Sequence, residues 1–103
     1  MKVLGIDIGG SGIKGAPVEL PSGEMEGEHL HLPTPQPATP GAVTAAIKKM
    51  IQHFQFSGTV GVGFPGVIRH GVVETAVNLS PSWVGKNAEK LFQKAAQIGR
   101  AHV

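Results

Sequence analysis

The sequence predicts a mixed α/β fold, a central mixed sheet with two packing helices, on three observations. Val3 to Ile8 and Thr59 to Phe64 are short apolar runs bounded by glycine or proline, the pattern of strands buried on both faces. Two further segments repeat apolar residues at helical spacing: Val43, Ile47, Met50, Ile51 and Phe54, then Ala88, Leu91, Phe92 and Ala95. The 103 residues, 41% apolar and 16% charged, suffice for one modest core but not for two. That composition excludes a disordered tail, and no run approaches the ~18 apolar residues of a membrane helix.

In chain order, the first strand breaks into the turn Gly9-Gly10-Ser11-Gly12. Ile13 to Leu20 follows as an extended segment, since Pro17 and Pro21 forbid a helix there. Pro21-Ser22-Gly23 is turn chemistry, and Met25 to Leu32 reads as a third strand closing a meander. Four prolines between Leu32 and Pro40 make an extended, polyproline-like connection. Thr39 as N-cap and Pro40 at the first helical position open a helix that Gly58 is expected to stop. After the second strand run, His70-Gly71 joins Val67–Arg69 to Val72–Glu74 as a small hairpin. A second helix is expected over about Lys86 to Ile98, ended by Gly99, and Ala101-His102-Val103 reads as the first half of another strand.

Charge and cysteine usage narrow the function classes. With no cysteine, disulfides, thiolate metal sites and cysteine nucleophiles are excluded, and a cytoplasmic home is expected. The N-terminus runs into an acid and glycines instead of an apolar leader. A net charge of +2, with aromatics at 5% and no dense basic run, argues against a nucleic-acid partner and allows small anionic ligands.

The glycine turn is the segment that carries chemistry. Gly10-Ser11-Gly12-Ile13-Lys14-Gly15 satisfies the spacing of a dinucleotide-binding loop, but that loop must open a helix, and Gly15, Pro17 and Pro21 deny one. The Gly-Lys-Ser/Thr triplet of a Walker loop is absent. What remains is a strand–turn–strand hairpin with an acid at its start. Asp7, the only aspartate, stands between apolar neighbours, where a buried carboxylate would need a partner or a cation. Glycines let backbone N–H groups close around an anion, Ser11 can donate its hydroxyl, and Lys14 adds positive charge. The alternative is a plain tight hairpin whose acid caps the turn.

The stretch Leu4-Gly-Ile-Asp-Ile-Gly-Gly-Ser-Gly-Ile-Lys-Gly-Ala-Pro-Val-Glu19 resembles the first phosphate motif of the ROK sugar kinases, in the actin/hexokinase superfamily, most of all the polyphosphate glucokinase branch. A second block agrees: Val60-Gly-Val-Gly-Phe-Pro-Gly-Val67, Gly71 to Ala76, Asn78-Leu79 and Ser82 to Gly85. The resemblance implies a ribonuclease H-like, actin-like ATPase lobe. It implies transfer of a phosphoryl group from polyphosphate or ATP, with Mg²⁺, to the 6-hydroxyl of glucose. On that analogy Asp7 organises Mg²⁺, directly or through water, and Gly9, Gly10, Ser11, Gly12 and Lys14 hold the donor phosphate. Pro65, Gly66 and Asn78 fall on the sugar side. The family's catalytic base is an aspartate in an Asn-Asp-Ala-type segment, expected just after Val103. Residues 1–103 are therefore expected to be an amino-terminal small lobe, catalytically silent alone, of a longer and homodimeric protein.

Other features have plainer readings. Lys86, Lys90 and Lys94 form a stripe on the second helix, read as a solvated face rather than a polyanion contact. His29 and His31 share a strand face and could hold a metal, but a surface strand is the favoured reading. Trp83 is read as core packing before sugar stacking. A sugar-sensing ROK-type transcriptional regulator is the competing class. It is disfavoured because no helix-turn-helix precedes the hairpin.

Overall fold

Strand β1 (Lys2–Ile8) and strand β2 (Gly12–Glu19) pair antiparallel from Lys2 opposite Glu19 to Ile8 opposite Ile13, so the glycine turn closes a hairpin without a helix. The computed structural model describes residues 1–25, 27–96 and 100–102. The expected third strand is two short ones: β3 (Glu24–Met25) lies against the end of β2, and β4 (Leu30–Pro33) against its start. Between them Gly27 takes φ +68°, a left-handed conformation that breaks an extended run.

Strand β5 (Thr59–Gly63) runs parallel to β1, and β8 (Arg100–His102) parallel to β5. The sheet order is β3-β2-β1-β5-β8, with β4 also beside β2. The expected final strand thus begins at Arg100, and Val103 lies outside the described residues. A separate hairpin joins β6 (Ile68–Arg69) to β7 (Val72–Val73). His70 and Gly71 both take positive φ, as a two-residue turn matched to strand twist requires.

Helix α1 (Pro40–Phe54) starts as its sequence dictates: Thr39 Oγ1 accepts from the Ala42 N–H at 3.2 Å and Pro40 occupies the first turn. It stops at Gln55, before Gly58. Gln55 adopts φ 48° and donates to Gln52, and Phe56 donates to Ile51, so the last carbonyls are satisfied without a glycine. Helix α2 (Ala88–Ala96) starts two residues later than expected, because Asn87 Oδ1 caps the Lys90 N–H at 2.9 Å. Lys86 is therefore outside it, and the basic stripe reduces to Lys90 and Lys94, both exposed. The end expected at Ile98 and Gly99 lies outside the described residues.

Both helices pack on one face of the sheet. Leu4, Ile6, Ile8, Ile13, Val60 and Val62 meet Val43, Ile47, Met50 and Phe92 there. Strand alternation sends Gly5, Asp7, Lys14, Gly61 and Gly63 to the other face, so β1 and β5 are buried on one side only. Trp83, in a 3-10 turn (Pro81–Trp83) that the sequence reading missed, is fully buried. Its Nε1 donates to the Ala38 carbonyl at 2.9 Å, and Phe64 and Phe92 lie 5.0 and 5.9 Å from its ring. It packs the core and has no face free for a sugar. Among the described residues no helix is long and apolar enough to cross a membrane.

Candidate phosphate and sugar site

The site forms at the carboxyl ends of β1 and β5, adjacent parallel strands in which Asp7 stands opposite Gly63. Crevices beyond such strand ends are where open α/β sheets bind ligands. β1 leads into the glycine loop and β5 into Phe64-Pro65-Gly66, so the predicted phosphate and sugar residues start from neighbouring points.

The hydrogen bonding of the loop is one-sided. The Gly9 carbonyl accepts from Thr34 Oγ1 at 2.6 Å, that of Gly10 from Gln36 Nε2 at 3.2 Å, and that of Ser11 from the Thr34 N–H at 3.2 Å. Gly9 donates its N–H across the loop to Gly12 at 2.9 Å. Among the described residues the N–H groups of Gly10 and Ser11 donate to nothing. Carbonyls are tied back and two consecutive amides are left without an acceptor among the described residues, which is the polarity an oxyanion needs. Ser11 is exposed and the turn is not sealed by its own side chains. The Thr34 and Gln36 supports were missed in the sequence, where Leu32 to Pro40 read only as a connection. Thr34, at 5% exposure, was the available signal: a lone threonine between prolines.

Asp7 corrects the expectation of a buried carboxylate. Alternation along β1 buries Ile6 and Ile8 and puts Asp7 on the open face, exposed, with Lys14 directly opposite on β2. Neither side chain has a hydrogen bond or ion pair among the described residues, so both charges are available to a ligand. They line a concavity of about 600 Å³ with Gly5, Gly61, Gly63 and His31. The resemblance implies Mg²⁺ here. Mg²⁺ is commonly held by one or two carboxylates together with phosphate oxygens and waters. A single unpaired carboxylate beside free amides fits that donor set, and among the described residues no group of three acids or histidines forms an all-protein cage.

The sugar-side residues converge as well. Val77 donates to the Pro65 carbonyl at 2.7 Å, and Gly66 sits so close to Thr75 that a Cβ there would meet the Thr75 carbonyl oxygen. This bend delivers Asn78, exposed and at φ 60°, onto the phosphate loop: a Cβ on Gly10 would stand 2.5 Å from Asn78 Cβ. The glycine loop and the bend therefore meet at Gly10 and Asn78, while Asp7 and Lys14 line the concavity on the open face of the sheet. His31 was not among the residues the sequence singled out for phosphate or sugar. It stands opposite Lys14 on β4, and its ring fills the space beside Gly12.

Residues 3–99 match the ROK family. The chain belongs to the ROK family. It is 52% identical over 100 residues to a polyphosphate glucokinase of Mycobacterium tuberculosis, covering 97% of this chain and 37% of that protein. Its fold superposes at a TM-score of 0.92 on an inorganic polyphosphate/ATP-glucomannokinase from Arthrobacter sp. strain KM, at 38% identity, over 99% of this chain and 43% of that one. A ROK family glucokinase from Streptomyces griseus, in complex with glucose and AMPPNP, shares the fold at a TM-score of 0.80 and 20% identity, over 99% of this chain and 33% of that one. This ROK chain is thus an actin-like α/β lobe, and it spans well under half the length of these relatives.

Proposed function

We propose that this chain is the amino-terminal small lobe of a glucokinase that draws its phosphoryl group from polyphosphate or ATP. The carrying observation is the pair of unpaired amides at Gly10 and Ser11, with Asp7 and Lys14 unpaired beside them. In-line phosphoryl transfer is mainly positioning and charge neutralisation, and this patch supplies both. Gly10 and Ser11 donate to the oxyanions of the donor's terminal phosphates, and the Lys14 ammonium balances their charge. Gly9 and Gly12 shape the loop around them. Asp7 would hold Mg²⁺, which would supply further neutralisation of the donor's charge. Asn78, which can both donate and accept, orients a glucose hydroxyl from the bend that Pro65 and Gly66 fix.

The base that deprotonates the 6-hydroxyl belongs, in this reading, to the segment following Val103. Asp7 is the only aspartate of the chain, and its role toward metal and donor leaves it no part in that step. The whole protein would be a cytoplasmic homodimer. Val67, Val77 and Val84, exposed at 51%, 57% and 55%, offer apolar surface for packing within it. The test is a coupled glucose-phosphorylation assay with polyphosphate and with ATP. The 103-residue chain should show no turnover, and the whole protein should show turnover that falls at least about a hundredfold in Lys14→Ala. An unaffected Lys14→Ala enzyme would refute the assignment of the loop.

A further inference from the structure

A row of side chains runs across the open face of the sheet at the level of the glycine loop. Register places Gly63 on β5 opposite Asp7 on β1, Asp7 opposite Lys14 on β2, and Lys14 opposite His31 on β4. Residues so opposed in antiparallel strands have Cβ atoms about 5 Å apart, so Lys14 has an acid on one side and an imidazole on the other. His31 is exposed, has no hydrogen-bond partner among the described residues, and lines the same concavity as Asp7 and Lys14.

Its position relative to the loop is set by a contact. A Cβ built on Gly12 would fall on His31 Nε2. The glycine there makes room for the imidazole, whose Nε2 lies beside Gly12, the residue that follows Ser11. An imidazole keeps at least one N–H donor in every protonation state. Among the described residues the ring has no acidic partner, and register sets the Lys14 ammonium opposite it, an arrangement suited to an anion.

We propose that His31 is a binding residue for condensed phosphate: its imidazole N–H and the Lys14 ammonium hold oxyanions of a phosphate chain whose end is seated on the Gly10 and Ser11 amides. This rests on the phosphate reading of the loop, and the test separates the two. Inorganic tripolyphosphate is titrated calorimetrically into the 103-residue chain, wild type and the variants Lys14→Ala, His31→Ala and His31→Gln. One charge-assisted hydrogen bond is worth about tenfold in affinity. His31→Ala should weaken binding by about that factor, and His31→Gln, which keeps an N–H donor, should recover most of it. The His31 ring nitrogens of the wild type should shift in NMR spectra on addition of tripolyphosphate, a readout that needs no variant to fold. If Lys14→Ala weakens binding while His31→Ala binds as wild type and the ring nitrogens stay still, the role of His31 is overturned and the loop reading stands. If the wild type does not bind, or no variant changes binding, both fall.

Discussion

Gly10→Ala is the substitution that most directly probes how the phosphate loop and the sugar-side bend are joined. The added methyl would stand 2.5 Å from Asn78 Cβ and 3.3 Å from the Asn78 carbonyl oxygen. Relaxed carbon contacts lie at about 3.5–4.0 Å, so the loop or the bend must yield by roughly 1 Å. Overpacking of this kind costs about 1–3 kcal/mol, and each kcal/mol lowers the Tm of a domain this size by about 4–8 °C. If the loop holds the donor as proposed, a displacement of that size should cost the whole protein about a hundredfold in rate. Asn78→Gly removes the obstructing side chain and relieves a left-handed residue at φ 60°, so alone it should leave stability within about 1 kcal/mol of wild type. The double variant should recover most of the loss. Thermal and urea unfolding of the four proteins close the cycle, with a coupling of about 1–2 kcal/mol expected. If Gly10→Ala melts with wild type, or Asn78→Gly fails to rescue it, the two loops do not touch as described.

Other outcomes follow from the same geometry. Thr34→Val should cost about 1–2 kcal/mol, since a buried hydroxyl bond of 2.6 Å to Gly9 is lost, and should also weaken tripolyphosphate binding; an unchanged urea midpoint would refute it. Asp7→Asn should leave the Tm almost untouched because the carboxylate is exposed and unpaired, while removing the enhancement of donor binding by Mg²⁺, measured by titration with and without chelator. Trp83→Ala should destabilise by about 3–5 kcal/mol, seen in chemical unfolding, because a fully buried indole leaves a cavity and an unfilled place at Ala38. Hydrogen exchange at Gly10 and Ser11 should be fast in the free chain and slowed by tripolyphosphate, with Gly9 slow throughout.

The elements that local chemistry specifies were legible. Short apolar runs gave β1 and β5, though not that only one of their faces is buried, prolines that forbid a helix gave β2 as an extended segment, Thr39-Pro40 gave the start of α1, and His70-Gly71 gave its hairpin. The glycine turn as a helix-free hairpin was legible too, because glycines after a strand with prolines beyond leave few other conformations. Interactions between distant segments were not. Asp7 sits in a run that looks apolar throughout, and only register shows that its face is open. Thr34 and Gln36 act on residues 25 and 26 positions away, a distance over which spacing carries no signal. His31 reads as a surface strand residue and is one; its pairing with Lys14 and its contact with Gly12 are visible only in the register.

The tether of the glycine loop has a mechanical consequence. Thr34 and Gln36, which grip it, belong to the short connector that runs directly into the first turn of α1, itself seated on β2 through Met50 against Gly15. Loop, connector and helix are thereby joined by side-chain contacts as well as by the chain. If the loop holds a phosphoryl donor as proposed, reshaping it for a donor of different bulk would strain the contacts that tie it to the fifteen-residue helix. On the proposed reading, adaptation to longer or shorter donors would fall to groups outside this loop, and the loop would serve as the fixed jaw of a vice.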